Sequence, residues 1–135
     1  MIDNLILQEI KQALTEVKLP FQVVGAILFG SMVKDKDTHE SDLDLLIVAD
    51  GINSKFHRRG NEISLIKKNL PALPLDILLY TESEAISNFR NHNPLFLDIA
   101  VEGVLLFDKA GILENLLNET KKYIREKWLK KLEDG

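Results

Sequence analysis

Cysteine is absent from this 135-residue chain, which excludes a disulfide framework and any thiolate zinc site. Tryptophan occurs once, at Trp128, and proline only four times. No apolar run approaches the ~20 residues that a bilayer-crossing helix needs. The N-terminal stretch "MIDNLILQEIKQ" carries an acid at Asp3 and has neither a basic leader nor a cleavage site, so a signal peptide is not expected and a cytoplasmic location is. A net basic charge is lacking too. The formal charge of −4 argues against an extended basic surface for nucleic acid, because neutralising many phosphates takes a basic footprint. The balance shifts toward the end of the chain, where Lys109 to Lys131 hold seven Lys or Arg against three Glu. That excess reads as a solvated helix face, with a docking surface for an acidic partner as the alternative.

What is present is ordinary for a globular protein: 45% hydrophobic and 28% charged residues in a length that suits one core. The expectation is a single domain over residues 1–135, with a motif-bearing core over about 20–108 and a C-terminal helix over about 111–133. Ile6, Ile10, Leu14 and Val17 recur at helical spacing, with Asp3 placed to cap the first turn. "FQVVGAILFG" and "DLDLLIVAD" are β-branched, apolar runs that read as strands covered on both faces. A helix is expected over 54–70, with Phe56, Ile63, Ile66 and Leu70 inward and Arg58 and Arg59 on its polar side. "LPLDILLYT" reads as a third strand, followed by two short helices, the second with Pro94 in its first turn and Gly103 at its C-cap. "VLLFD" is a fourth strand, and Leu113, Leu117, Ile124 and Trp128 mark a long final helix. Alternating helices and strands place the chain in the α/β or α+β class, with one mixed sheet of about four strands and helices packed on it.

The chemistry concentrates in "LFGSMVKDKDTHESDLDLLIV", residues 28–48. Residues i and i+2 of a strand share a face, so Asp42 and Asp44 project side by side while Leu43 and Leu45 point the other way. Two carboxylates that close call for a compensating cation. Mg²⁺ takes oxygen ligands, and such a pair can bridge two metals about 3.5–4 Å apart, the spacing of in-line phosphoryl displacement. Gly30 allows a sharp turn and close backbone approach, and Ser31 adds a hydroxyl and an anion nest suited to a triphosphate. Ser31 is not read as a nucleophile, since Gly-x-Ser-x-Gly is absent and no His is placed to serve it. Asp76 stands within an apolar strand, where an acid is costly unless paired or coordinating. A neighbouring strand could bring it to the pair as a third metal ligand and as acceptor of a hydroxyl proton.

Gly30-Ser31, ten residues, Asp42-x-Asp44, then an acid in the next core strand: this pattern resembles the DNA polymerase β-like nucleotidyltransferase superfamily, over roughly Val23 to Phe107. It is most similar to the minimal stand-alone members found beside HEPN-domain proteins in toxin–antitoxin pairs. The resemblance implies a mixed sheet with helices on one side, two Mg²⁺ ions, and a nucleoside triphosphate, ATP by preference, as donor. A nucleoside monophosphate would pass to a hydroxyl with release of pyrophosphate. Gly30 and Ser31 would hold the triphosphate, Asp42 and Asp44 both metals, and Asp76 the metal that activates the acceptor. Met32, Val33 and Asp35 stand where many relatives carry a basic residue and a glycine, which leaves Lys34 as the nearby cation for the nucleotide. His57, Arg58 and Arg59 could contact phosphate or acceptor, or form a solvated helix face. His39 and His92 lack metal-ligand spacing and read as surface residues.

Three functions follow. The first is a nucleotidyltransferase acting on a protein or RNA hydroxyl, as the antitoxin of a HEPN partner that presents the acceptor. The second is an inactive module that neutralises its partner by binding alone. The third is a metal-dependent phosphohydrolase, supported only by the carboxylates. Trp128 and Tyr123 could pack on the domain's own core or form a homodimer or partner surface.

Overall fold

The two apolar runs lie side by side at the centre of a four-stranded sheet. The structure, a computed structural model, describes residues 4–30 and 43–134. Helix α1 (Asn4–Thr15) leads into strand β1 (Gln22–Phe29), and β2 (Leu43–Asp50) follows. A 3-10 turn (Phe56–Arg58) and helix α2 (Gly60–Lys68) lead to β3 (Leu75–Tyr80). Helices α3 (Glu82–Arg90) and α4 (Pro94–Glu102), strand β4 (Val104–Asp108) and helix α5 (Ile112–Asp134) complete the chain. The strand order is β3-β2-β1-β4. β1 is antiparallel to both β2 and β4, and β2 is parallel to β3, so the sheet is mixed.

Both faces of the sheet are covered. Leu43, Leu45 and Ile47 of β2 pack with Ile10 and Leu14 of α1 and Ile66 of α2. Leu46 and Val48, which point the other way, pack with Phe89 of α3, Phe96 and Ile99 of α4 and Leu113 and Leu117 of α5. The expectation of helices on one side is therefore corrected. β1 and β2 are buried along almost their whole length, and a strand apolar at consecutive positions needs cover on both faces. Among the described residues no helix is long and apolar enough to cross a membrane.

Local signals explain most boundaries. Thr81 and Glu84 close a capping box at the start of α3: the Glu84 N–H donates to Thr81 Oγ1 at 3.3 Å and the Thr81 N–H to Glu84 Oε1 at 2.8 Å. Asn93 caps α4, with Pro94 behind it in the first turn. Gly103 does stand at the C-cap of α4, but its backbone is extended (φ −71°, ψ 151°) rather than left-handed. What requires glycine there is close packing, since a Cβ would come within 2.7 Å of Ile27 Cγ2. Asp3, the expected cap of α1, lies outside the described residues.

The helix expected over 54–70 is divided at Arg59. Arg59 is not on a polar face; it is 1% exposed. Its Nε donates to the Asn53 carbonyl at 2.7 Å and one terminal nitrogen donates to the Leu79 carbonyl at 2.9 Å. Both terminal nitrogens reach the Glu84 carboxylate, at 2.6 and 3.2 Å. Burying the guanidinium in this way turns the chain between the 3-10 turn and α2. Phe56, expected inward, is half-exposed and stacks on Tyr80 at 4.9 Å between ring centroids.

Candidate functional site

The mouth of the sheet, where β1 ends and β2 and β3 begin, brings together three of the residues singled out by the sequence. Asp44 is the register partner of Asp76 on parallel β3 and of Phe29 on antiparallel β1. Neighbouring strands lie about 4.8 Å apart, so the two acids stand side by side. Alternation puts Asp44 on the face of Leu46 and Val48, and Asp76 on the face of Leu78 and Tyr80, so both share one face of the sheet. Pro74, just ahead of β3, ties this corner down by accepting the Leu43 N–H at 2.7 Å.

Gly30 follows Phe29 and completes the mouth. Its φ of +94° lies in the region L-residues rarely adopt. The missing side chain matters as much as the angle: a Cβ built there would stand 2.1 Å from Asp44 Oδ2. The Asp44 carboxylate lies in the space that a side chain at Gly30 would fill.

Asp76 departs from expectation in its burial. It was read as an acid inside a covered strand, yet it is exposed, as the second residue of β3. The strand begins only at Leu75, and β3 is the edge of the sheet, so the carboxylate opens to solvent. Asp44, one strand inward, is half-buried. Asp42, Ser31 and Lys34 lie outside the described residues, as do Met32, Val33, Asp35 and His39. Among the described residues no group of three or more His, Cys, Asp or Glu gathers as a metal cluster.

The basic trio after β2 separates. His57 and Arg58 are exposed, whereas the donors of Arg59 are taken up by Asn53, Leu79 and Glu84. Arg59 is thus a structural cation, and its availability to phosphate or acceptor is corrected. Burial pushes the Glu84 carboxyl up, but the Arg59 guanidinium and the Thr81 N–H outweigh it and hold the carboxyl below its ordinary value. Burial and the Glu84 charge raise the Tyr80 hydroxyl, with Arg59 opposing. Nothing in the local spacing announces this ion pair, since its members are 25 residues apart. His92, at φ 56°, stacks on Tyr123 with ring centroids 3.5 Å apart.

The family model described as a nucleotidyltransferase domain matches residues 10–106, most of the chain. The chain belongs to this family. Its fold is that of the polymerase β-like nucleotidyltransferases, and solved structures agree. One, a toxin–antitoxin with AMP-PNP, is 18% identical over 93% of this chain and 92% of its own, with a TM-score of 0.53. Another, a Tyr-to-Ala variant of the toxin–antitoxin MntA–HpeT, is 18% identical over 98% and 94%, with a TM-score of 0.51. The comparison with curated proteins finds no match.

Within this nucleotidyltransferase domain, the donor set at the mouth fits a hard cation. Asp44 and Asp76 supply only oxygen, they are neighbours in register, and two carboxylates so placed are cheaper to ionise with a cation between them. One groove among the described residues lies elsewhere. It measures about 440 Å³, lies between α3 and α5, and includes none of Gly30, Asp44 and Asp76.

Proposed function

We propose that this chain transfers a nucleoside monophosphate, AMP from ATP, to a hydroxyl on a protein or RNA acceptor, and that it is the antitoxin of a HEPN-domain toxin. The observation that carries the reading is the register of Asp44 with Asp76, with Gly30 shaped around the Asp44 carboxylate. The neighbour with AMP-PNP supports an adenine nucleotide, and the toxin–antitoxin neighbours support a toxin as partner.

In this reading Asp42, Asp44 and Asp76 are the residues that would hold the metal ions. Two Mg²⁺ ions, when bound, supply charge neutralisation on the phosphates and make the acceptor hydroxyl more acidic. Gly30 and Ser31 cradle the triphosphate through backbone N–H groups, and Lys34 adds a positive charge. The acceptor oxygen attacks the α-phosphorus, the bond to the β-phosphate oxygen breaks, and pyrophosphate leaves. Asp76, on the exposed edge strand, is accessible to the acceptor and takes its proton. Little covalent work falls to the protein, because such transfers depend on positioning and charge stabilisation.

The test is incubation of the purified protein with Mg²⁺, each α-labelled nucleoside triphosphate, the protein encoded by the neighbouring gene and total RNA. Label should appear on one macromolecule and vanish in an Asp44→Asn variant. Transfer that survives Asp44→Asn would overturn the reading. A bound partner that never acquires label would favour neutralisation by binding alone.

A further inference from the structure

Only the first half of the 23-residue helix α5 is packed against the rest of the domain. Its first half is anchored in the core through Leu113, Leu116 and Leu117, whereas every residue from Arg125 to Asp134 is exposed. Such a half-helix would ordinarily be polar all round, yet Trp128 is 58% exposed, Leu132 58% and Leu129 51%. Ile124, Trp128 and Leu132 recur every four residues and so form a ridge. Val101 of α4, 61% exposed, faces the same groove, which Lys121 and Arg125 also line and whose volume is about 410 Å³.

Charge along α5 is sorted about that ridge. At about 100° per residue, Lys121 and Arg125 fall on one flank and Lys131 on the other. Glu119, Glu126 and Glu133, seven residues apart, line the opposite side. Among the described residues two of these acids meet partners of their own: Glu119 pairs with Arg90 and Glu126 with Lys122. Lys121, Arg125 and Lys131 meet no carboxylate among the described residues. An apolar ridge with unpaired cations on both flanks is complementary to an apolar surface bordered by Asp and Glu. A second copy in two-fold contact would bring one basic flank of the ridge against another, which like charge disfavours.

The ridge also lies at the end of the sheet that holds the carboxylates. β4 runs from the level of Leu28 back to that of Gly25, and α5 returns in the opposite direction. At about 1.5 Å per residue, the 23 residues of α5 outrun the five of β4 and pass the mouth end. Val101, beside Trp128, precedes by three residues the Val104 that pairs with Leu28.

We infer that the ridge Ile124–Trp128–Leu132, with Val101, Lys121 and Arg125, is the docking surface for a protein partner with an acid-bordered apolar face, holding its acceptor hydroxyl at the carboxylate end of the sheet. This deepens the proposed function and rests on its partner reading. Trp128 is the chain's one tryptophan, so it serves as the probe. The full chain is prepared with 5-fluorotryptophan and its single ¹⁹F resonance is followed as an unlabelled HEPN-domain protein, expressed from the gene neighbouring this chain's own where that gene encodes one, is added. Sedimentation independently reports whether a complex forms. The resonance should move on complex formation, and Lys121→Glu/Arg125→Glu should raise Kd by on the order of tenfold or more. Glu126→Lys/Glu133→Lys, on the opposite side of the helix, should leave Kd unchanged. All four positions are exposed, so circular dichroism should show each variant folded.

A complex that forms while the resonance stays in place and the charge reversals have no effect overturns the surface and leaves the partner reading standing. Failure to form any complex overturns both. A resonance that moves with the protein's own concentration, or with total RNA in place of the HEPN protein, also overturns the proposal, in favour of self-association or nucleic acid.

Discussion

Asp44 and Asp76 occupy the same level of two parallel neighbouring strands, one half-buried and the other open to solvent. Their proximity is a product of register. Slipping β3 by one residue would send Asp76 to the opposite face of the sheet, away from Asp44. The two carboxylates therefore make separable predictions about chemistry and stability.

Asp44→Asn and Asp76→Asn should each abolish detectable nucleotidyl transfer, as should removal of Mg²⁺ with a chelator. Asp76→Asn should shift stability by no more than about 0.5 kcal/mol, because exposed substitutions rarely do more. Thermal melts run beside the transfer assay separate the two effects. Transfer retained by Asp76→Asn would remove this residue from the machinery.

Gly30→Ala tests the cradle around Asp44. Holding an L-residue at positive φ costs about 1–2 kcal/mol, and the new methyl would meet the Asp44 carboxylate. Activity should fall further than the loss of stability explains, with a raised Mg²⁺ requirement. Mg²⁺ titration of transfer, at a temperature where the variant is folded by circular dichroism, is the measurement.

Arg59→Met should destabilise the fold by about 3 kcal/mol, the lower end for a broken buried pair, since Glu84 can still reach water. Arg59→Lys should not restore it, because a single ammonium cannot serve Asn53, Leu79 and both Glu84 oxygens at once. Denaturant unfolding measures both.

The same pair makes a pH prediction. Glu84 is held below its ordinary value of 4.5, so the folded carboxyl binds its proton more weakly than the unfolded one. Its contribution is complete above that ordinary value, shrinks as the pH falls below it, and is gone once the pH has passed the lowered folded value. The stability difference between the protein and Glu84→Gln should therefore narrow on acidification and stay flat toward neutrality. Unfolding at a series of pH values checks the sign.

Thr81→Ala should cost about 1 kcal/mol as a lost cap. Combined with Arg59→Met, the costs should fall short of additive, because Thr81 and Arg59 hold the same Glu84 side chain. A double-mutant cycle reads the coupling.

Much of this molecule was legible in the order of its residues. Consecutive apolar positions in "QVVGAILF" and "LDLLIVAD" announced central strands, Pro94 announced a helix start, and Gly30-Ser31 followed by Asp42-x-Asp44 announced the family. These are short-range signals, set by backbone sterics, side-chain alternation and caps. Three matters lay beyond them. That β3 runs parallel to β2 with Asp76 level with Asp44 depends on the crossover through α2. That Arg59 is buried depends on Glu84 arriving from the far side of β3. That Trp128 is exposed, while Leu113 and Leu117 of the same helix are buried, depends on where the sheet ends beneath α5. A sequence determines which side chains prefer burial and which backbone shapes are cheap. Which surfaces meet, and which carboxylates become neighbours, is decided only when distant segments close on one another.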